Sequence, residues 1–348
     1  MTAFPAHPDD ITDDWWNAVL GRVPARWRWE PIGTGQVGDS VRFTLDFAEQ
    51  AGVTLAGKFA AADPTSRTTA AMLGLYAKEV RFYRELAPQL AIRTPRIFAA
   101  EMAEDGTSFV LLFEDLGPAR GGNQLTGCAI DDARAVICQA AALHAPSWNN
   151  PAILDCDWLQ PDPAATAQVK ALYPSAQAVF RERYRGILEP EFMALCEGLA
   201  EHTAASDRTL EKISLVHGDF RLDNVLFDIK GGAEPVAVLD WQTLTIGNGL
   251  TDIGYFLGCG IGDDLRRAHE RELLELYCAE MTARGVPLSL DAIWRDYVVG
   301  ALHGVSTAVF SSAFVLQTTR GDANFLSMAR GACALCLEHG SLDLLKKG

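Results

Sequence analysis

The sequence predicts an α+β chain in two parts: a small β-rich amino-terminal part, then a larger α-helical one. Three observations predict it. Apolar residues alternate with period two in the first third and recur every three to four residues through most of the remainder. At 348 residues the chain has room for two domains of ~150 residues. Hydrophobic residues make up 49% and charged residues 22%, an ordinary globular mixture that excludes a disordered, collagen-like or disulfide-scaffold chain.

The elements follow in order. Asp10 to Leu20 places Asp caps ahead of Trp15, Trp16, Val19 and Leu20, the pattern of an opening helix. Val41 to Phe47 alternates apolar and polar residues and predicts a half-buried strand. A turn at Gln50-Ala51-Gly52 leads to a second strand over Val53 to Phe59, making a hairpin. Leu73, Ala77, Val80 and Tyr83 fall at helical steps and predict a helix over 67–86. Thr107 to Glu114 is a third strand, closed by Leu116-Gly117-Pro118. Beyond it the pattern is helical over 130–144, 189–205, 263–283 and most of 288–340. Short strands interrupt it at Ser214–His217, Asn224–Phe227 and Val236–Leu239. The change of character near Phe113 to Gly117 divides the chain into domains 1–113 and 114–348, without internal repeats.

Thirty Lys and Arg against 45 Asp and Glu leave a net charge of −15. That field repels phosphate backbones and anionic lipid, which argues against nucleic acid or a membrane surface as partner. It suits a cationic small molecule, and equally it serves solubility. The eight cysteines are scattered, mostly in apolar surroundings. Cys333 and Cys336 form a lone C-x-x-C without the second pair or spaced histidines of a zinc site, so core packing is expected. The opening residues lack the basic start and apolar run of a secretory signal. Tyr297 to Thr319 carries no formal charge, but His303, Ser306, Thr307, Ser311, Ser312 and Gln317 interrupt it. The expectation is a buried helix and a cytoplasmic protein.

Gly33, Gly35 and Gly38 form a G-x-G-x-x-G. A dinucleotide-binding turn would need a following helix and an acidic residue about 20 positions on. A strand follows here, and the residue at that distance is Lys58. A glycine turn between strands can instead close its backbone over a polyphosphate. Lys58 sits in an apolar strand, where an ammonium must be paired; Glu79 is its natural partner, Glu85 the alternative. His217-Gly218-Asp219-Phe220-Arg221-Leu222-Asp223-Asn224 lies between two short strands, and Val238-Leu239 leads into Asp240. Asp219, Asn224 and Asp240 are oxygen donors at strand ends, suited to hold Mg²⁺ beside phosphates. The spacing fits neither an EF-hand nor a paired-histidine zinc site.

In order and spacing these motifs resemble the protein-kinase-like fold, in its small-molecule branch of aminoglycoside phosphotransferases, choline kinases and ecdysteroid-kinase-like proteins. The resemblance runs from the glycine turn to TDIGYF at 251–256 and is most specific in HGD-x-x-x-x-N followed by a strand ending in Asp. HGD in place of HRD, DWQ in place of DFG and the lack of an APE segment point away from a protein substrate. Val41 falls one place later than the family's valine, which brings Ser40 into the phosphate-covering set. The resemblance implies a bilobal protein-kinase-like fold with a β-rich N-lobe and helical C-lobe. It implies ATP and Mg²⁺ as cofactors and a small hydroxylated acceptor. Asp219 would orient the acceptor hydroxyl and take its proton, and Arg221 would stand near the γ-phosphate. Asn224 and Asp240 would ligate Mg²⁺, and Lys58, held by Glu79, would contact the α- and β-phosphates. Adenine would meet the crossover backbone near Glu114 and Leu116. Asp252 would brace the catalytic loop, and His144 is read as a packing residue.

Three functions compete on this sequence. An ATP-dependent O-phosphotransferase uses every residue named. A pseudokinase would bind nucleotide without turnover, and a metal-dependent phosphohydrolase would leave Lys58 and the glycine turn without a task. The acceptor, the choice of ATP over GTP and the oligomeric state are not legible.

Overall fold

The computed structural model describes residues 4–33, 37–160, 163–202, 212–314 and 317–346. The fold is protein-kinase-like, with a β-rich amino-terminal part and a helical carboxy-terminal part. The chain forms two compact units. The first holds residues 1–89, 93–119 and 228–244; the second holds 90–92, 120–227 and 245–348. The sequence boundary at 113/114 cuts the chain once, whereas the units exchange a segment: residues 228–244 pack with the first.

The first unit is built on a five-stranded antiparallel sheet of order β1-β2-β3-β5-β4. Its strands are β1 (Arg26–Pro31), β2 (Gly38–Asp46), β3 (Val53–Ala60), β4 (Ile97–Met102) and β5 (Phe109–Glu114). One face carries Val41, Phe43, Leu45, Leu55, Phe59, Val110 and Leu112, closed by Trp15 and Trp16 of α1 (Asp13–Leu20). Thr12, not one of the expected Asp residues, caps α1, its side chain accepting from the Trp15 N–H, and Asp13 and Asp14 fill the first turn. The helix expected over 67–86 is three pieces. α2 (Pro64–Met72) starts at an Asp63 cap, and α3 (Leu75–Arg81) starts after Gly74, whose left-handed φ of 67° breaks the run. A π-turn, Phe82–Leu86, follows directly.

The second unit is helical: α4 (Ile130–Ser147), α5 (Pro163–Tyr184), α6 (Pro190–Ala200), α7 (Leu250–Cys259), α8 (Asp263–Ala283), α9 (Leu290–Gly300), α10 (Leu302–Phe314) and α11 (Thr319–His339). α7 lies at its centre, packed on α9, α10 and α11. The close approach of α7 to α9 requires glycine, because a Cβ at Gly254 would come within 2.5 Å of the Ala301 nitrogen. The uncharged stretch expected to be one buried helix is α9 and α10, whose Tyr297, Val298, Leu302, Val305, Ala308 and Val309 are buried; residues 315 and 316 fall outside the described ones. Leu290–Phe314 is apolar and long enough to cross a membrane, yet half of its most apolar window is buried within the protein. Cys333 and Cys336 are core residues of α11, with Cys333 Sγ 3.8 Å from Cys196 Sγ.

Candidate active site

Each unit organises one group of the expected residues. In the first unit, Lys58 lies on β3 with its side chain on the face opposite Phe59 and Leu55, as alternation requires. Its cross-strand neighbours are Ser40 and Leu111, so Ser40 shares its face. The Lys58 ammonium is 2.7 Å from Glu79 on α3 and 3.1 Å from Asp240. Glu79 is therefore the partner, and Glu85 is not. Burial would depress the Lys58 pKa, but the charges of Asp240 and Glu79 outweigh it and raise it, so the side chain stays cationic. Burial pushes Glu79 up against the opposing pull of Lys58.

Asp240 reaches this place through local backbone. It follows the strand Glu234–Val238 and has a left-handed φ of 64°, uncommon for a residue with a Cβ and typical of positions held by function. Trp241, fully buried, stacks on Phe82 at 3.9 Å and 8°, which pins the turn behind α3. Gln242 Nε2 donates to Asp240 Oδ2 at 3.3 Å, leaving the carboxylate half-exposed between Lys58 and an amide.

The glycine turn is described at Gly33 and from residue 37 onward; Gly35 lies outside the described residues. Gly33 has φ 76°. Gly38 is buried, and a Cβ there would come to 3.0 Å from the Phe59 carbonyl oxygen and 3.3 Å from Lys58 Cε, so its bareness leaves room for the neighbouring strand and the lysine stem. At the crossover, the Glu114 side chain accepts from Arg93 and Lys230, each at 2.7 Å. The Glu114 N–H bonds Arg96 O, and the Leu116 carbonyl accepts from the Lys230 N–H.

In the second unit, the loop after the strand Ser214–Val216 gathers Asp219, Arg221 and Asn224. Arg221 Nε donates to both Asp219 oxygens, at 2.9 and 3.0 Å. Asn224 Nδ2 donates to Asp219 Oδ2 at 2.8 Å, and the Tyr255 hydroxyl donates to Asp219 Oδ1 at 2.9 Å. Burial would raise the Asp219 pKa, but Arg221 above all outweighs it and the carboxyl is held below its ordinary value. Arg221 also bonds Asp223 at 2.9 Å. It is tied into the loop as a partner of the acid expected to be the base. Asn224 spends its amide nitrogen on Asp219 and keeps its amide oxygen as the donor suited to a cation.

Asp252 on α7 braces this loop. Fully buried, it accepts from the His217 N–H at 2.7 Å and the Gly218 N–H at 3.0 Å. His144 Nε2 lies 3.2 Å from Asp252, and His144 Nδ1 lies 3.0 Å from the Tyr277 hydroxyl, so the histidine is a buried link in the brace. His303 Nε2 bonds Gly218 O at 2.7 Å from α10. Sequence reasoning missed Tyr255 and His303. Tyr255 stands three residues after Asp252, one helical turn along the same face, and that spacing was its signal; His303 had none.

Among the described residues no group of three or more His, Cys, Asp or Glu side chains is arranged to hold a metal. Asp240, in the first unit, and Asn224, in the second, each carry an oxygen of the kind that hard cations such as Mg²⁺ prefer.

The profile of the APH family, the phosphotransferase enzyme family, matches residues 53–286. The chain belongs to that family. A Ralstonia eutropha protein assigned as an aminoglycoside phosphotransferase shares its fold at TM-score 0.59 and 18% identity, over 94% of this chain and 97% of that one. A microcompartment-associated aminopropanol kinase follows at TM-score 0.53 and 16% identity, over 92% and 94%. Among curated sequences, acyl-CoA dehydrogenase family member 11 of Pongo abelii is 40% identical over 154 residues, 39% of this chain and 19% of that protein. The chain thus spans less than a fifth of the length of the curated relatives it matches.

Proposed function

We propose that this phosphotransferase moves the γ-phosphoryl group of ATP, with Mg²⁺, to a hydroxyl of a small molecule. The observation that carries the reading is the Lys58 ammonium held at 2.7 Å by Glu79 and at 3.1 Å by Asp240, a fixed cation beside a half-exposed carboxylate. The residues divide the work. Lys58, its charge secured, binds the α- and β-phosphates, with Gly38 and Ser40 beside it on β2. Asp240 and Asn224 are each suited to offer an oxygen to Mg²⁺, which when bound would offset phosphate charge. Asp219 orients the acceptor hydroxyl and takes its proton. Its carboxylate already receives bonds from Arg221, Tyr255 and Asn224, which keep it ionised and fixed. Arg221 stabilises charge developing at the transferred group.

The acceptor is a small molecule in this reading, and the charge of −15 suits a cationic one. Two acceptor classes merit trial: amino alcohols, for the acidic charge, and hydroxyacyl thioesters, because relatives containing this region are named acyl-CoA dehydrogenases. ADP release from Mg·ATP is measured across both panels. Turnover with one of them is expected, with loss on chelation by EDTA and recovery on adding Mg²⁺. Asp219→Asn is expected to lower kcat by about a thousandfold or more. Unchanged turnover in that variant removes Asp219 from its role. Nucleotide binding without transfer on either panel favours the pseudokinase reading.

A further inference from the structure

Tyr76 stands on α3 one helical turn before Glu79 and is buried, at 1% exposure. Its hydroxyl donates to the Val37 carbonyl at 2.6 Å and accepts from the Ala61 N–H at 3.2 Å. Val37 precedes Gly38, the residue that lies over the Lys58 stem, and Ala61 follows the end of β3. The ring is fixed against Phe109 of β5, centroids 4.6 Å apart. One turn of one helix therefore holds both the lysine, through Glu79, and the outgoing arm of the glycine turn, through Tyr76. A tyrosine needed only for packing would be served by phenylalanine; this hydroxyl instead satisfies two backbone groups from different segments.

We infer that Tyr76 is a positioning residue for the nucleotide phosphates, fixing the Val37-Gly38 backbone beside the lysine that Glu79 holds. The inference rests on the nucleotide reading above. It is tested by titration calorimetry of the full chain, wild type and Tyr76→Phe, with Mg·ATP and separately with adenosine, which lacks the phosphates. The expected result is Mg·ATP affinity weakened about fivefold, the loss of one buried hydrogen bond, with adenosine affinity unchanged. Unchanged Mg·ATP affinity overturns the inference. So does equal weakening of both ligands, which marks general damage to the unit. Wild-type protein that binds neither ligand sinks the nucleotide reading itself, whereas normal wild-type binding with an indifferent Tyr76→Phe sinks this inference alone.

Discussion

Replacing Asp252 by Asn tests whether the catalytic loop is held by a buried charge. The carboxylate accepts two backbone N–H groups, from His217 at 2.7 Å and Gly218 at 3.0 Å, and lies 3.2 Å from His144 Nε2. An amide of the same shape has one acceptor oxygen; its NH₂ must face one of those N–H donors and leave it unpaired. Bonds to a charged acceptor contribute roughly 1.5–3 kcal/mol each, and losing one while weakening another costs about 3 kcal/mol. For a unit of this size that lowers Tm by roughly 5–10 °C. Calorimetry and urea unfolding at pH 7 read the loss. The pH dependence carries the sign. Burial would raise the Asp252 pKa, but His144 and the His217 donor outweigh it, so the folded value is depressed. Its contribution is therefore full above the unfolded value of ~3.9 and fades as pH falls toward the folded one. The gap between wild type and Asp252→Asn narrows as pH falls below about 4. A variant within 1 °C of wild type at pH 7, or a gap that widens as pH falls below about 4, refutes the reasoning.

Two further substitutions probe the separate groups. Lys58→Met keeps the stem and leaves Glu79 and Asp240 without their shared cation; Mg·ATP affinity and stability both fall, the stability by about 3–5 kcal/mol in urea unfolding. Equal stability would show that the ammonium is not the tie between those acids. Tyr255→Phe keeps a fully buried ring and removes one donor to Asp219, lowering kcat about tenfold with KM for ATP within twofold. Combined with Asp219→Asn it adds nothing; additive losses would place Tyr255 outside that interaction.

HGD-x-x-x-x-N and the lysine strand are local patterns, and residue type with spacing singled out Asp219, Asn224, Lys58 and Asp240 as candidates; the structure joins Lys58 to Asp240 and Asn224 to Asp219. Other elements escaped for particular reasons. β1 reads Arg26-Trp27-Arg28-Trp29 with its tryptophans only partly buried, so its alternation lacks the apolar contrast of β2. The first half of α5, from Pro163 onward, is largely exposed, Pro174 interrupts the helix at its middle, and it offered no apolar stripe to read. The helix over 67–86 ran on past Gly74 because helical steps continue on both sides of the break.

What the amino-acid order determined by itself was the two-part alternation of strand and helix, and an inventory of candidate phosphate-handling groups. Both follow from interactions within a few residues, where periodicity and side-chain chemistry suffice. Only the folded chain decided that Glu79, 21 residues from Lys58, and Asp240, 182 residues away, share one ammonium. It alone showed the left-handed turn at Asp240, the tie from Tyr76 to the glycine turn and the seating of Tyr255 on Asp219. Those depend on how buried faces pack, and burial is a property of the whole fold rather than of any window of sequence.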